Sequence, residues 1–371
     1  MKSMRHRWTL MSDSRKKPIK EILFIHPSLL GGGAERVAIS LASYFASHGY
    51  KFTFLLTKDK RVRYSVPEGV DIVDQHADPS IKPMQQISII RSYIKKHPNA
   101  VIMSFLPHQN MYTLIASIGL PNRIVISVRN DPRFDFPRNP LLQGVRNAIY
   151  RKADAIVFQT EEQASFFPHS IQSKGSIILN PISDSIPAPY KGARRKAIVT
   201  SGRLEEQKNH AMTIRAFAEF YKSHPDFTLE IYGEGSLEGD LKGVTEGLGI
   251  SDAVRFEGFS PNAVERVRTA SVFVMSSRFE GLSNSMLEAL CMGVPTICTR
   301  CLGGGAEALI DNGRNGFLID VDDIHEETRL MHVLVTDDGL ARRLSHEAQK
   351  LRTEVGIGSI GKKWEGLICS T

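Results

Sequence analysis

The stretch "EILFIHPSLLGGGAERVAISLAS" (residues 21–43) runs from an apolar segment through three glycines into text with the apolar spacing of a helix. Buried strand, glycine turn and amphipathic helix, in that order, open many doubly wound α/β domains. The helix start presents unpaired N–H groups to an anion at the strand's carboxyl end. The dinucleotide fingerprint needs a third glycine and an acidic residue at the end of the next strand. Here Gly31, Gly32 and Gly33 lead to Ala34, Glu35 and Arg36, with Arg36 at the third glycine's place, and no carboxylate lies within "KFTFLLTK", Asp59 coming only after it. A nicotinamide-type site is therefore excluded. Gly32 and Gly33 remain as points where backbone approaches a ligand; a tight turn without any ligand accounts for the same text. The other phosphate loop fails too, because "GIGSIGKK" puts Lys363 where a magnesium-binding hydroxyl is required.

Outward from this stretch the pattern repeats. "KFTFLL", "AVIMSFL", "RIVISV", "AIVFQT" and "SIILN" read as buried strands, with helical text such as "MQQISIIRSYIKKH" between them. The alternation predicts a parallel sheet covered on both faces over residues 20–182. "NPISDSIPAPYKGARRK" interrupts it with three prolines, which marks a linker at 183–195. A second series, "KAIVTSG", "TLEIYG", "VRFEGF", "VFVMSS", "PTICTR" and "GFLID", gives a second such domain over 196–350. The expected fold is two tandem Rossmann-like doubly wound parallel-sheet domains facing across a cleft. Residues 351–371 read as a C-terminal helix crossing back to the first domain, and residues 1–19 as a basic, disordered tail.

Composition narrows the class. Apolar content of 42% and charged content of 23% are ordinary globular values. No apolar run reaches the roughly 18–20 residues of a membrane span, and four cysteines form no disulfide framework, so a cytoplasmic protein is expected. Charge is uneven: residues 1–190 carry about 25 Lys and Arg against about 14 Asp and Glu, roughly +11. Such a half suits an anionic membrane surface; the basic residues lack the interleaved aromatics of a nucleic-acid binder. "MQQISIIRSYIKKH" sets Ile87, Ile90 and Ile94 beside Arg91, Lys95 and Lys96, a pattern that fits both a membrane interface and a helix packed on a sheet.

The chemistry concentrates in the second half. In "SSRFEGLSNSMLEAL", Glu280 falls in a loop between strand and helix, and Glu288 lies two turns into the helix that opens near Ser283. The N–H groups of Gly281, Leu282 and Ser283 suit an anion. Carboxylates beside it suit hydroxyls, accepting hydrogen bonds from a vicinal diol. Upstream, in "TSGRLEEQKNH", Arg203 and Lys208 leave the carboxyl end of a strand, where two cations can grip a diphosphate. Each feature alone also fits a solvated loop. Together they describe a pocket for a nucleoside diphosphate that carries a sugar. "CTRC" (Cys298 to Cys301) has no second ligand pair, so no metal is implied.

"SGRLEEQKN", "IYGEGSLEGDLKGVTEGLGISDAVRFEGF", "FEGLSNSMLEAL" and "GGGAEALIDNGRNGFLI" together resemble glycosyltransferase family 4, retaining enzymes of GT-B fold. "GGGAERVAISLA", "SFLPHQN" and "ISVRNDP" are similar to its bacterial branch for surface polysaccharides and lipid-linked glycans, which includes N-acetylgalactosamine transferases. The resemblance implies that Arg203 and Lys208 neutralise a leaving diphosphate, Glu288 holds ribose hydroxyls and Glu280 contacts the transferred sugar. Gly281, Leu282 and Ser283 would lend backbone donors, and Gly32 and Gly33 would close on the donor. Many members carry a histidine where this chain has Arg129 and Asn130, which leaves His108 as the first domain's catalytic candidate. The implied reaction moves a sugar from a nucleotide-sugar donor, a UDP-linked hexose or N-acetylhexosamine, to a polyprenyl-diphosphate-linked saccharide. No metal or other cofactor is expected, and the enzyme is expected to sit peripherally on the inner face of the cytoplasmic membrane. A nucleotide-sugar epimerase of the same architecture, a GDP-mannose-dependent transferase and a non-enzymatic sugar-nucleotide binder remain as alternatives.

Overall fold

A computed structural model of the chain describes residues 21–136, 139–260 and 262–369. The expected basic tail at 1–19 lies outside the described residues. The first sheet holds β1 (Glu21–His26), β2 (Lys51–Leu56), β3 (Val70–Val73), β4 (Val101–Phe105), β5 (Ile124–Ser127), β6 (Ala155–Phe158) and β7 (Gly175–Ile177). They run parallel in the order β3-β2-β1-β4-β5-β6-β7. The second holds β8 (Arg195–Ser201), β9 (Thr228–Tyr232), β10 (Val254–Gly258), β11 (Ala270–Met275), β12 (Thr296–Thr299) and β13 (Phe317–Ile319). Its order is β10-β9-β8-β11-β12-β13, again parallel. Both orders reverse at the first strand of the sheet, between β1 and β4 and between β8 and β11. Crevices open at the carboxyl ends of strands at such reversals.

The helices in the first half are α1 (Gly33–Ser47), α2 (Pro83–Lys96), α3 (Pro107–Ala116), α4 (Pro140–Tyr150), α5 (Glu161–Ser165) and α6 (His169–Gln172). In the second half they are α7 (His210–Tyr221), α8 (Glu238–Gly247), α9 (Ala263–Thr269), α10 (Asn284–Cys291), α11 (Ile324–Thr336), α12 (Asp338–Ala348), α13 (Leu351–Glu354) and α14 (Ile357–Cys369). Strands such as β1, β4 and β6 are buried nearly end to end, as expected for parallel sheets with helices on both faces. α2 spends its apolar face on that packing: Ile90 and Ile94 are fully buried and Ile87 packs beside them. The interfacial reading of this segment therefore gives way to the packed one. β3 escaped the sequence reading because "VDIV" is short and only half-buried, with little apolar text to announce it.

The chain crosses between the sheets twice. After β7, Ile182 pairs with Gly356 in an isolated parallel bridge, so the outgoing and returning segments run side by side. The returning chain forms α14, whose Trp364 and Ile360 enter the apolar cluster built on Phe24, Phe45 and Phe105 in the first half. Glu365 accepts hydrogen bonds from Tyr44 and Tyr50 at 3.0 and 2.9 Å. Among the described residues, no helix is long and apolar enough to cross a membrane.

Candidate active site

The two strand-order reversals face each other across one cavity of about 500 Å3. One wall comes from the loop after β1 and the ends of β4 and β5, with Gly31 to Arg36, Leu106, Arg129 and Asn130. The opposite wall comes from the loops after β8 and β11, with Gly202, Arg203, Lys208, Glu280 and Leu282 to Ser285. Residues 31 and 285 thus share one space because two sheets of the same topology meet crevice to crevice. Leu106 holds the left-handed backbone conformation (φ 74°), a strain that residues other than glycine adopt rarely and that clusters at functional positions.

Within the cavity Lys208 Nζ lies 2.5 Å from Glu280 Oε1, both side chains nearly buried. Gln207 Nε2 donates to the same carboxylate oxygen at 3.0 Å and to the Phe279 carbonyl at 2.9 Å. The carboxylate is thereby fixed between a cation and an amide. Arg203 is exposed, and its guanidinium donates to Gln207 Oε1 at 3.0 Å. No carboxylate pairs with Arg203 among the described residues. Arg203 thus meets a neutral amide alone, whereas the charge of Lys208 is shared with Glu280.

Glu288 opens on a second cavity, of about 660 Å3, that adjoins the first. It is lined by Tyr232, Gly258 and Phe259 at strand ends of the second sheet, by Val264 of α9, and by Arg36 and Tyr64 from the first domain. Glu280 borders only the first cavity, and Arg36 and Arg203 border both. Arg36 donates to Glu288 across the cleft, and burial lowers the pKa of its guanidinium below the ordinary value. A charged group and an aromatic-rimmed hollow are thus laid end to end, which suits a ligand with a polar middle and a flat, partly apolar end.

The domain seam is polar and close. Asn284, at the start of α10, donates to the Gly33 carbonyl at 3.0 Å and accepts from Asn180 at 2.7 Å. Asn180 also donates to the Leu282 carbonyl at 2.8 Å, and Gln159 Oε1 accepts from the Leu282 N–H at 3.2 Å. A glycine permits this approach: a side chain on Gly281 would lie 2.8 Å from the Arg129 carbonyl and strike Gln159, both of the first domain. Thr160 reaches across to the Gly303 carbonyl at 2.7 Å, and Phe134 stacks on Phe279 with ring centroids 3.6 Å apart.

Arg203, Lys208, Glu280, Leu282, Ser283, Gly32 and Gly33 come together at the first cavity, and Glu288 lies next to them at the second. Gly281 sits in the seam beneath, and the Leu282 N–H is engaged by Gln159. His108 stands apart: it is exposed at the start of α3, packs edge-on to Phe136 at 5.0 Å and is not among the residues bordering either cavity. Burial, then nearby Lys58, depresses its pKa. Arg129, by contrast, borders the cavity. Burial brings its pKa down to about 9, and it is held by Asn180 Oδ1 at 2.5 Å and by the Phe105 ring at 4.6 Å, without a carboxylate. Local text offered no signal for Arg129, Asn180 or Asn284 as partners, because they meet only once two distant halves dock.

Residues 184–351 match the family of glycosyl transferases group 1. Relatives extend over nearly the whole chain. One, from Campylobacter jejuni, is an N-acetylgalactosamine-N,N'-diacetylbacillosaminyl-diphospho-undecaprenol 4-alpha-N-acetylgalactosaminyltransferase, 28% identical over 348 residues, with 88% of this chain and 93% of that protein covered. A second from the same organism, an alpha-1,4-N-acetyl-D-galactosaminyltransferase acting on a diphospho-undecaprenol-linked saccharide, is 24% identical over 360 residues, covering 94% and 98%. Among solved structures, Anabaena HepE in complex with UDP and glucose superposes with a TM-score of 0.80 at 17% identity, covering 95% of this chain and 100% of that one. Sucrose-phosphate synthase from Thermosynechococcus elongatus gives 0.79 at 15% identity, covering 94% and 98%. Two crevice-facing Rossmann-like sheets give the chain the GT-B fold, and its second half is similar to the group 1 glycosyl transferases.

Proposed function

We propose that this glycosyltransferase moves a hexose or N-acetylhexosamine from a UDP-sugar, with retention of anomeric configuration, to a saccharide carried on a polyprenyl diphosphate. The observation that carries the donor half is the linear order of groups along the cleft. Phe259 and Tyr232 border the hollow suited to the base, Glu288 the position suited to ribose hydroxyls, and Arg203 and Lys208 the position suited to the diphosphate. Glu280, beside Lys208, then faces the sugar. The lipid-linked acceptor is supported by the relatives from Campylobacter jejuni, whose names describe such substrates.

Charge separation governs the step. As the bond from the anomeric carbon to the phosphate oxygen lengthens, negative charge grows on the diphosphate and positive charge on the ring. Arg203 and Lys208, already set at the cavity wall, lower the barrier by meeting that negative charge. The acceptor oxygen bonds to the same face of the anomeric carbon, and its proton passes to the departing phosphate oxygen. In this scheme neither a protein base nor a metal ion is needed.

A saturation-transfer NMR panel of UDP-, GDP- and ADP-sugars, followed by product analysis, tests the reading. UDP-sugars are expected to bind, and the product linkage to keep the donor's anomeric configuration. An inverted linkage, or an epimerised nucleotide sugar formed without acceptor, overturns it.

A further inference from the structure

The loop after β2, "TKDKRVRYS" (residues 57–65), holds four cations, and the fold uses two of them in opposite ways. Arg61 is spent locally: Asp59 holds its guanidinium at 2.6 and 3.1 Å. Arg63 is turned the other way. Val62 pairs with buried Leu29 in an isolated parallel bridge, and the Arg63 N–H donates to the Leu29 carbonyl at 3.0 Å, which pins this stretch beside the glycine turn. The Arg63 stem runs past Gly31, whose φ of 119° is rare for a residue with a side chain. Its guanidinium thereby crosses the cleft and lies over the Phe259 ring, 4.6 Å from the centroid, with Glu234 Oε2 3.8 Å away. Glu234 follows β9 and Phe259 follows β10, and all three side chains border the second cavity.

Stacking occupies the face of a guanidinium and leaves its in-plane N–H groups free to donate. Among the described residues those of Arg63 make no hydrogen bond, since Glu234 at 3.8 Å is beyond that reach. Both side chains of the pair are about half exposed, and such pairs add little to stability. What the pair does is present a donor and an acceptor side by side on the wall of the hollow suited to the base. The 4.6 Å between guanidinium and ring leaves no room for a third ring between them. A base in this hollow therefore meets Arg63 and Glu234 along its edge.

We infer that Arg63 of the first domain and Glu234 of the second together read the edge of the donor's nucleobase, and select a base that sets a carbonyl beside a ring N–H. Uracil, with O4 next to N3–H, and guanine, with O6 next to N1–H, offer an acceptor and then a donor. That order is complementary to a guanidinium next to a carboxylate. Cytosine and adenine set an amino group beside a bare ring nitrogen. They would place donor against donor and acceptor against acceptor, so the pair repels the wrong bases as well as holding the right ones. The inference rests on the donor site proposed above. To that site it adds a specificity-determining residue from the opposite domain, and a chemical reason for the base.

The test is titration calorimetry of the full chain with UDP, CDP and inorganic pyrophosphate. UDP and CDP have the same shape and differ only along this edge. Wild type is expected to bind UDP at least about tenfold more tightly than CDP. Arg63→Met keeps an apolar stem on Phe259 without the donors, and should weaken UDP by about tenfold without weakening CDP or pyrophosphate. The ratio of UDP to CDP affinity then approaches one, and Arg63→Lys, which keeps a donor, restores part of it. An unchanged UDP-to-CDP ratio in R63M overturns the inference and leaves the UDP donor standing. Equal losses for UDP, CDP and pyrophosphate also overturn it, because Arg63 then acts by closing the domains and not on the base. A wild type that binds GDP in place of UDP, with its preference for GDP over ADP lost in R63M, upholds the inference and overturns the UDP donor.

Discussion

The two domains share a strand order and turn the same kind of crevice toward the cleft, yet they furnish it differently. The second domain supplies charge from two local segments, Gly202–Lys208 and Glu280–Ser285, tied together by Gln207, which donates to the Phe279 carbonyl and to Glu280. The first domain supplies close backbone, Gly32 and Gly33, and cations set at a distance from one another in sequence, Arg36 and Arg129. On the proposed function, one topology hosts a binding half and a closing half. The contents of a strand-end crevice follow from the loop text, while the crevice itself follows from strand order.

The sharpest way to break this division is to remove the charge of the second domain. Lys208→Ala and Arg203→Ala should each lower kcat about 10²-fold or more, as removal of one preorganised donor does. Lys208→Ala also leaves Glu280 without its cation, so Lys208→Ala with Glu280→Gln should recover part of the donor affinity. Near-normal steady-state turnover in both single variants would move the chemistry out of this half.

The seam comes next. Gly281→Ala introduces a Cβ where Gln159 and the Arg129 carbonyl already sit. Overpacking of this kind costs about 1–3 kcal/mol, here charged to domain closure. The expected result is a fall in kcat/KM of about tenfold or more with an unchanged melting temperature. A drop in melting temperature without a kinetic change would make the seam a structural contact alone.

Glu288→Ala should chiefly raise the donor KM, by about tenfold, by removing ribose contacts worth roughly 1.5 kcal/mol. Arg36→Ala, which frees Glu288 from its cross-cleft partner, should raise KM less. A double-mutant cycle on donor binding measures their coupling. Additive effects would show that the closing half does not act through Glu288.

The smallest effect on turnover is expected from Glu327→Gln. Glu327 is fully buried on α11, and burial pushes its carboxyl up from the ordinary 4.5 to about 8, although Thr213 opposes the shift. Between those values the folded protein keeps a proton that the unfolded chain has released, so stability falls as pH rises through that window. Glu327→Gln should flatten the decline, melting higher than wild type at pH near 8 with kcat unchanged. A lowered kcat would extend the catalytic half into the core of its domain.

Legibility in the sequence follows the same division. The parallel sheets announce themselves through long buried apolar runs such as "AVIMSFL" and "VFVMSS", and the second domain's charges through two compact segments. β3 was invisible because a short, half-exposed strand leaves no apolar run. The first domain's contribution was mostly illegible because it depends on docking. Arg36 entered the reading only as a broken fingerprint, and Arg129 only as the absence of a histidine. Both become meaningful once Glu288, Asn180 and the Phe105 ring, from 24 to 252 positions away, are brought alongside. His108, a reactive side chain at a strand end, was conspicuous in the text, and the fold sets it outside the cavity border.

The central claim is tested most directly by a crystal structure with an intact, non-hydrolysable UDP-sugar. The account predicts the diphosphate against Arg203 and Lys208, the ribose at Glu288 and the sugar between Glu280 and the Gly32–Gly33 backbone. Nucleotide bound away from Arg203 and Lys208, or a sugar directed out of the cavity between the domains, would contradict it.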